Sequence, residues 1–293
     1  MTYETLWHRL TSVYEADEAK AVVRWVLDVR FGLSWADILC GKVTELSAND
    51  QTELGKIMLR LEKGEPVQYV IGVADFCGRQ FYVAPGVLIP RPETAELFRW
   101  IPPTGVRPRD KKTTCRGLSP VRGLDIGTGS GCIAITLALE MPEMKMTGWD
   151  ISDEALRIAR QNAKALGADV TFEKQDALNP PTDGREWDLI VSNPPYIRPE
   201  ERDGMAQNVL DYEPCEALFG PADDPALFYK RIGDYAIRSL RPGGQLFFEL
   251  NPLTADIVSD YLIRLGFQDV EIRTDEYGKR RMMKAVKPQI ESL

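Results

Sequence analysis

The segment Leu124-Asp125-Ile126-Gly127-Thr128-Gly129-Ser130-Gly131 indicates the fold, because it joins a predicted strand, Gly123 to Ile126, to the apolar helix predicted for Ile133 to Leu139. Glycines at the end of a strand let the backbone approach a ligand that a Cβ would push away. They also expose amide groups at the start of the helix that follows. The G-x-G-x-G spacing differs from the G-x-G-x-x-G of dinucleotide enzymes, and alone it favours a ligand-binding turn over a plain tight turn only weakly.

Strands alternate with helices from about Pro120 onward. Ser152 is suited to cap a helix that ends at Gly167, and Tyr277-Gly278 forms a turn between the last two strands. The strands predicted after the glycine-rich turn are Met144 to Asp150, Val170 to Phe172, Trp187 to Ser192, Gln245 to Leu250, Asp269 to Arg273 and Arg281 to Val286. This order predicts an α/β fold in which crossover helices cover a parallel sheet and an antiparallel hairpin closes it.

The N-terminal region has a different pattern, which predicts a small helical domain over residues 1–65. Apolar residues recur there at helical spacing. The best-marked helix begins at Ser47, with Asp50 three residues later as an imperfect capping box, and it stops at Gly64 and Pro66.

A β segment is predicted to join this domain to the rest of the chain. Alternating residues from Val67 to Ile71 and the segment Phe76 to Val83 both have the pattern of short strands. We therefore predict a β-hairpin linker over residues 66–90 and an α/β domain over residues 91–293.

The composition is that of a globular protein. The 293 residues are 44% hydrophobic and 27% charged, and the apolar stretches are too short to span a membrane. The first residues lack a basic flank with an apolar run, so we expect no secretory signal. The five cysteines are far apart, which predicts a reduced cytoplasmic chain with neither a disulfide framework nor a zinc site. A single histidine, His8, argues against His-based catalysis, and we expect no bound metal.

The charge of the chain argues against nucleic acid as a partner. The formal net charge is −8 and the pI is near 5.0, whereas proteins that grip a nucleic-acid backbone usually carry a basic patch. The clearest basic stretch, Arg107 to Arg116, lies among prolines between Pro102 and Pro120, which is typical of a solvated loop. We expect neither direct nucleic-acid binding nor a membrane partner.

Acidic residues end two predicted strands at positions suited to an adenosine cofactor. Asp150 comes 23 residues after Gly127, near the offset of ~20 residues at which an acid binds ribose hydroxyls. Its alternative role is a charge at the start of the helix after Ser152. Asp176 closes the next strand in the same way, and with Ala177 it would lie beside the adenine. A carboxylate there can accept a hydrogen bond from the exocyclic amino group of the adenine. Both acids suit a positively charged sulfonium cofactor better than a pyrophosphate cofactor.

The segment Ser192-Asn193-Pro194-Pro195-Tyr196 follows a predicted apolar strand and indicates the chemistry. Two successive prolines leave no backbone donors, so the carbonyls of Asn193 and Pro194 can face a ligand. A nitrogen conjugated to a carbonyl or ring is a poor nucleophile. If the Asn193 side-chain oxygen and the Pro194 carbonyl accept its two hydrogens, its lone pair can turn toward a methyl group, and Tyr196 offers a flat face to the planar group. The alternative is a rigid turn without a ligand.

These motifs resemble those of class I methyltransferases that modify amino or amide nitrogens, and further motifs narrow the resemblance to the HemK/PrmC family. The resemblance spans nearly the whole chain. The further motifs are Gly64-Glu65-Pro66-Val67-Gln68-Tyr69, Leu88-Ile89-Pro90-Arg91-Pro92-Glu93-Thr94, Tyr212-Glu213-Pro214, Ala217-Leu218-Phe219 and Leu240-Arg241-Pro242-Gly243-Gly244.

The resemblance implies a Rossmann-like sheet, S-adenosylmethionine as cofactor, and methylation of the glutamine side-chain nitrogen in the Gly-Gly-Gln tip of peptide chain release factors. We expect the N-terminal domain to recognise that protein substrate. The implied substrate contacts are Asn193, Pro194, Pro195 and Tyr196, and Asn193, Pro194 and Tyr196 are the expected catalytic residues. The implied cofactor contacts are Gly127, Thr128, Gly129, Ser130, Gly131, Asp150, Asp176, Ala177 and Asn193.

Three other functions would use the same motifs. A methyltransferase for a ribosomal-protein glutamine would have the same catalytic residues. An adenine-directed DNA methyltransferase can apply N-P-P-Y to a flipped base, but the acidity and the lack of an obvious basic target-recognition domain count against it. A non-catalytic binding module on the same fold is opposed by the intact glycine-rich turn and N-P-P-Y.

Overall fold

The computed structural model of the protein describes residues 1–101 and 120–289, which form two compact units. The first, the helical unit, comprises residues 1–73, 83–85 and 205–213. The second, the sheet unit, comprises the other described residues.

Three sequence-based expectations, on the basic stretch, on membrane spans and on metal sites, can be compared with the described residues. The basic stretch from Arg107 to Arg116 lies outside it. Within residues 1–101 and 120–289, no helix is long and apolar enough to cross a membrane. The same residues bring together no group of three His, Cys, Asp or Glu side chains that could hold a metal ion.

The chain begins with helices. From residue 121 onward strands alternate with helices, except that in the described chain no helix separates Val170–Lys174 from Trp187–Ser192 or Gln268–Thr274 from Arg280–Val286. The helices are α1 (Tyr3–Arg9), α2 (Ala16–Phe31), α3 (Trp35–Leu39), α4 (Ala48–Leu61), α5 (Val67–Ile71), α6 (Glu96–Trp100), α7 (Cys132–Glu140), α8 (Asp153–Leu166), α9 (Gln207–Tyr212), α10 (Cys215–Leu218), α11 (Leu227–Ser239) and α12 (Ala255–Leu265). Short 3-10 helices are Lys42–Glu45, Pro92–Ala95 and Pro199–Gly204. The strands are β1 (Val73–Phe76), β2 (Arg79–Tyr82), β3 (Val121–Ile126), β4 (Met144–Asp150), β5 (Val170–Lys174), β6 (Trp187–Ser192), β7 (Leu240–Glu249), β8 (Gln268–Thr274) and β9 (Arg280–Val286).

The helical unit encloses an apolar core of its own. Helices α2 and α4 each bury one face, and residues such as Val26 of α2 and Leu54 and Met58 of α4 are completely buried in the same cluster. Helix α4 begins where the sequence predicted, because the Ser47 hydroxyl accepts the amide of Asp50 at 3.1 Å.

The prediction of a strand from Val67 to Ile71 is wrong, since these residues form helix α5. Pro66 precedes the helix, and Gly72 ends it in the left-handed conformation with φ of 74°. Val67 and Val70, three positions apart, are both buried in the core of the helical unit. A five-residue apolar run is too short for its periodicity to distinguish a helix from a strand, and packing against α2 and α4 decides the outcome.

A hairpin follows α5 and is shorter than the predicted linker of residues 66–90. Its strands are β1 and β2, and its two turn residues, Cys77 and Gly78, have φ values of 49° and 71°. Two successive positive φ angles are typical of a type I′ turn, whose twist matches that of the paired strands.

The helical unit also takes in Met205–Glu213, a segment that the sequence predicted to be part of the α/β domain. The Tyr212 hydroxyl donates to the Lys63 carbonyl at 3.1 Å, and the neighbouring Glu213 is buried. These contacts join residues that are far apart in the chain, so no local pattern could predict them.

The sheet unit is built on seven strands in the order β5-β4-β3-β6-β7-β9-β8. Neighbours from β5 to β7 are parallel, while β9 is antiparallel to both β7 and β8. Residues of α7 and α8 belong to one apolar cluster of the sheet, and residues of α11 and α12 belong to the other. Because both clusters cover the central strands, every residue of β6 is buried. The predicted α/β fold and closing hairpin are confirmed.

Strand β7 begins at Leu240, earlier than the predicted Gln245. Its pairing with β6 is irregular between Trp187 and Leu189, and Gly243 within it has φ of 77°. The turn-like glycines are therefore accommodated as an irregularity inside the strand.

Candidate active site

One row of residues crosses the carboxyl ends of four neighbouring parallel strands. Ile126 of β3 lies opposite Trp149 of β4 and Ser192 of β6, and Ser192 lies opposite Phe248 of β7. The residues that come next in these four strands, and so form the row, are Gly127, Asp150, Asn193 and Glu249. The strand order reverses between β3 and β6, and ligands of open α/β sheets bind outside the carboxyl ends at such a switch point.

The glycine-rich turn after β3 has one glycine that faces open space and one that is packed. A Cβ on Gly129, whose φ is 54°, would have no neighbour within 4 Å. A Cβ on Gly131, whose φ is 82°, would lie 2.8 Å from Ile135 and 3.1 Å from Ala159. Gly131 is therefore required by packing between α7 and α8, whereas Gly129 leaves its backbone open to a ligand.

The open part of the turn borders the N-P-P-Y loop. A Cβ on Gly127 would meet only the Asn193 carbonyl oxygen, at 3.9 Å. Thr128 and Ser130 are buried, whereas Gly127 is exposed and Gly129 half-buried, so a ligand above the turn would contact the backbone of these two glycines.

The Asp150 carboxylate joins the glycine-rich turn to the start of α8. Its Oδ2 accepts the amide of Gly129 at 2.9 Å, and its Oδ1 accepts the amide of Ser152 at 2.9 Å. The N-cap of α8 is the Ser152 hydroxyl, which accepts the amide of Ala155 at 3.2 Å. Asp150 is therefore not the helix cap, and desolvation by burial raises the pKa of its carboxyl.

Asp176 and Ala177 lie in the loop after β5. This loop begins beside Asp150, because the Gln175 amide donates to the Asp150 carbonyl at 3.0 Å. The Asp176 carboxylate accepts the amide of Leu178 at 2.8 Å and so forms a tight turn, and Ala177 packs against the apolar cluster of α11 and α12. The structure thus brings both predicted residues to the carboxyl edge of the sheet.

The N-P-P-Y loop has free hydrogen-bond acceptors. Within the described residues, no donor reaches the carbonyl oxygens of Asn193 and Pro194 or the side-chain Oδ1 of Asn193. Beyond the prolines, the Tyr196 carbonyl accepts the side-chain amide of Asn251 at 3.1 Å, and Ile197 donates to the Leu218 carbonyl at 2.9 Å. The loop is therefore held at its far end while its acceptors stay unpaired.

Two residues that were not predicted as site residues, Thr94 and Glu249, hold the side chains of this loop, although Thr94 ends one of the motifs that carry the family resemblance. The buried Thr94 hydroxyl donates to Glu249 Oε2 at 2.6 Å, and Asn193 Nδ2 donates to the Thr94 hydroxyl at 3.4 Å. The Tyr196 hydroxyl donates to Glu249 Oε1 at 2.9 Å. The available signal for Glu249 was an acid at the end of an apolar parallel strand, the same signal that pointed to Asp150.

Asp125, also not predicted as a site residue, lies beneath the glycine-rich turn. Its Oδ2 accepts the Thr128 hydroxyl at 2.6 Å and the Ala134 amide at 3.2 Å. Its Oδ1 is buried and has no partner among the described residues. Desolvation by burial raises the pKa of this carboxyl to about 7. No Lys or Arg of the described part forms an ion pair with Asp125 or Asp150.

Comparison with known proteins gives consistent matches to both units. Residues 7–72 match the family model described as PrmC N-terminal domain, and residues 116–212 match the one described as methyltransferase small domain. The release factor glutamine methyltransferase of Bacteroides thetaiotaomicron is 45% identical, over 94% of this chain and 95% of the relative. The protein of the same name from Flavobacterium psychrophilum is 36% identical, over 94% of each chain.

Solved structures with low sequence identity share the fold. A methyltransferase from Pyrococcus furiosus has a TM-score of 0.51 at 18% identity, covering 83% of this chain and all of its own. The delta-N METTL16 methyltransferase domain has a TM-score of 0.50 at 16% identity, covering 92% of this chain and 95% of its own.

Proposed function

The chain belongs to the family of release factor glutamine methyltransferases, and we propose that it methylates the side-chain amide nitrogen of the glutamine in the Gly-Gly-Gln motif of peptide chain release factors. It is a methyltransferase of the Rossmann-like class that depends on S-adenosylmethionine. The observation that carries the substrate proposal is the pair of unpaired acceptors at Asn193 Oδ1 and the Pro194 carbonyl, one strand away from the open glycine-rich turn.

The residues around the turn fit this cofactor. When bound, S-adenosylmethionine supplies a methyl group on a positively charged sulfur. The open backbone of Gly127 and Gly129 would contact it, and Asp150 would accept its ribose hydroxyls. Asp176 and Ala177 would lie beside the adenine. The Asp150 carboxylate, which has no ion pair with a Lys or Arg of the described residues, supports a positively charged cofactor rather than a pyrophosphate cofactor.

The N-P-P-Y loop would hold the substrate amide. Asn193 Oδ1 and the Pro194 carbonyl would accept its two N–H groups, which turns the nitrogen lone pair toward the methyl group. Pro195 and the ring of Tyr196 would border the planar amide. Alignment of this kind can lower the barrier to methyl transfer by up to ~7–11 kcal/mol. If the amide nitrogen loses its proton only after it has attacked the methyl group, no His or Cys base is required.

The helical unit would recognise the protein substrate. Support comes from the match of residues 7–72 to a family-specific N-terminal domain and from the location of the glycine-rich turn and N-P-P-Y in the other unit. The described cysteines are free, as is typical of a reducing compartment, and the cytoplasm is the location that we propose.

Labelled cofactor and three separate substrates test the proposed function. A release factor, a ribosomal protein and an adenine-containing DNA duplex are each incubated with the enzyme, and the modified atom is located by mass spectrometry. We expect label on the Gly-Gly-Gln glutamine of the release factor, and none when Asn193→Ala replaces the wild type. Label on ribosomal protein or DNA alone would overturn the proposal.

A further inference from the structure

We propose that Thr94 and Glu249 are positioning residues that fix the orientation of the Asn193 side-chain amide and thereby make the site selective for an amide substrate. The inference deepens the proposed function and rests on it, because it assigns a direction to the hydrogen bonds at the substrate nitrogen. Three hydrogen bonds link the 3-10 helix at Pro92–Ala95, the loop after β6 and the end of β7. They run from Thr94 to Glu249, from Asn193 to Thr94 and from Tyr196 to Glu249.

The hydrogen bond from Thr94 to Glu249 prevents Thr94 from donating to Asn193. Thr94 is almost completely buried, and its hydroxyl has a single proton. That proton lies in the short bond of 2.6 Å to Glu249 Oε2. Toward Asn193 the hydroxyl can therefore only accept, so Asn193 must present Nδ2 to it, at 3.4 Å.

The orientation of the amide determines what faces the substrate. With Nδ2 bound to Thr94, the acceptor Oδ1 of Asn193 is directed elsewhere and has no donor among the described residues. Together with the Pro194 carbonyl it can accept both N–H groups of a primary amide. In the reversed orientation, the NH2 of Asn193 would meet the NH2 of the substrate, and donor would oppose donor.

Glu249 can fix the Thr94 proton only as a carboxylate, because a protonated carboxyl would itself be a donor. Burial and the charge of Glu93 raise the pKa of this carboxyl, and the hydroxyls of Thr94 and Tyr196 and the charge of Arg281 offset part of that rise. Arg281 in turn donates to the Tyr196 hydroxyl at 3.3 Å. The Tyr229 hydroxyl donates to the Glu249 backbone carbonyl at 3.2 Å, which holds the end of β7 in place.

Both carboxylate oxygens of Glu249 therefore accept a hydroxyl from a residue of the site. One holds Thr94, which orients Asn193, and the other holds Tyr196, which borders the substrate. A carboxylate with a purely structural role would need only hydrogen-bond donors on both oxygens. Glu249 also sets the direction of two successive hydrogen bonds, from Thr94 to Glu249 and from Asn193 to Thr94.

Isosteric substitutions separate orientation from folding. Thr94→Val keeps the shape but removes the hydroxyl, and we expect the single-turnover methylation rate of the release factor to fall roughly 10- to 100-fold. Cofactor affinity, measured by calorimetry, should stay the same. Thr94→Ser should restore most of the rate. Thr136→Val is the matched control, because Thr136 is equally buried in α7 and its hydroxyl has no partner in the described residues.

Glu249→Gln tests the carboxylate with little change in size. The side-chain NH2 of the introduced glutamine can donate to the Thr94 hydroxyl. The hydroxyl proton of Thr94 is then free to be donated to Asn193 Oδ1, so the Asn193 side-chain amide can adopt the reversed orientation. We expect a loss of rate similar to that of Thr94→Val, with unchanged cofactor affinity. Glu173→Gln, at a carboxylate that binds Arg185 at 2.7 Å instead, should keep the wild-type rate.

A double-mutant cycle shows whether Thr94 acts through Asn193. Any residual methylation of Asn193→Ala should not fall further when Thr94→Val is added, because the amide to be oriented is already absent. Independent losses that multiply in the double variant, or a Thr94→Val enzyme with the wild-type rate, would overturn the inference.

A readout without substrate distinguishes failure of this inference from failure of the proposed function. In the nitrogen-15 spectrum, the Asn193 side-chain amide is assigned by its loss in Asn193→Ala. One of its two protons should exchange slowly in the wild type and quickly in Thr94→Val, whichever protein is the substrate. Equal exchange in the two proteins would contradict the orientation, whereas a wild type that shows slow exchange but does not methylate a release factor would contradict only the proposed function.

Discussion

Gly129 donates its backbone N–H to Asp150 Oδ2 at 2.9 Å, across 21 positions of the chain. The other carboxylate oxygen of Asp150 accepts the amide of Ser152, which caps α8. One half-buried carboxylate therefore couples the turn after β3 to the helix after β4. The glycine-rich turn and the ribose site that we propose at Asp150 are for this reason a single structural element.

Asp150→Ala should weaken cofactor binding by about 1–3 kcal/mol, because the ribose hydroxyls lose a charged acceptor and the turn loses its tether. Calorimetric titration with S-adenosylmethionine measures this. Asp150→Asn, which can still accept from Gly129, should lose less. Asp153→Ala is the control, since Asp153 lies exposed in the first turn of α8. Wild-type affinity in a folded Asp150→Ala protein would show that Asp150 does not bind the ribose.

Asn193→Ala should leave cofactor affinity largely intact and nearly abolish methyl transfer. The substitution removes the acceptor Oδ1, while the glycine-rich turn and Asp150 are unchanged. Calorimetry with the cofactor and single-turnover methylation of a release factor are measured on the same preparation. Near-normal turnover would rule out the role proposed for this side chain.

Gly129→Ala and Gly131→Ala should have different effects, although both glycines have positive φ. The new Cβ at Gly131 would overlap Ile135 and Ala159, so we expect the free energy of unfolding to fall by at least about 2 kcal/mol. Gly129→Ala meets no neighbour, and its cost in stability should be about 1 kcal/mol from the left-handed backbone alone.

Cofactor binding separates these two variants further. Gly129→Ala should bind S-adenosylmethionine more weakly, because its methyl group enters the space that we assign to the cofactor. Denaturant unfolding and calorimetry provide the two measurements. If Gly129→Ala binds the cofactor as the wild type does, the space above Gly129 is not part of the cofactor site.

Asp125→Asn should stabilise the protein relative to the wild type more at pH 7 than at pH 4. Burial raises the pKa of Asp125 from its ordinary 3.8 to about 7. Between these values the folded protein binds more protons than the unfolded chain, so this carboxyl lowers the free energy of unfolding as the pH rises. Its penalty is absent below pH 3.8 and complete above about 7.

Denaturant unfolding of both proteins across this range tests the prediction without cofactor. Any change in hydrogen bonding caused by the Asn side chain is the same at each pH, so only the slope of the difference reports the carboxyl. A difference that does not change with pH would mean that Asp125 ionises as an ordinary carboxyl.

A release factor whose Gly-Gly-Gln is changed to Gly-Gly-Glu should not be methylated at all. Ionised glutamate has only acceptor oxygens, which would face the acceptors Asn193 Oδ1 and the Pro194 carbonyl. A site built around such hydrogen bonds can reject the wrong analogue by ~10⁴–10⁵-fold. Gly-Gly-Asn should also fail, since its amide is one methylene short of the required position. Mass spectrometry distinguishes the three substrates, and efficient ester formation on the glutamate would contradict the mechanism.

Local sequence patterns correctly predicted those strands and helices whose ends are determined by residues nearby in the sequence. The bounds of β4 and β6 and the caps at Ser47 and Ser152 agree with the prediction, because alternation, apolar runs and hydroxyl caps act within a few residues. Helix α5 was predicted as a strand, because in a run of five residues the contacts with α2 and α4 outweigh the local preference.

The sequence by itself determined the succession of strands in the sheet unit, and with it the fact that Gly127, Asp150 and Asn193 each lie at the carboxyl end of a parallel strand. Glycine content, prolines and acids at strand ends are local properties, and parallel strands place such ends together. Only the tertiary structure decided the partners of these residues. Thr94 and Glu249 are 155 positions apart, and their hydrogen bond exists because the sheet places the end of β7 beside the 3-10 helix at Pro92–Ala95. The direction of a buried hydrogen bond depends on every donor and acceptor around it, and that set is defined only once the chain has folded.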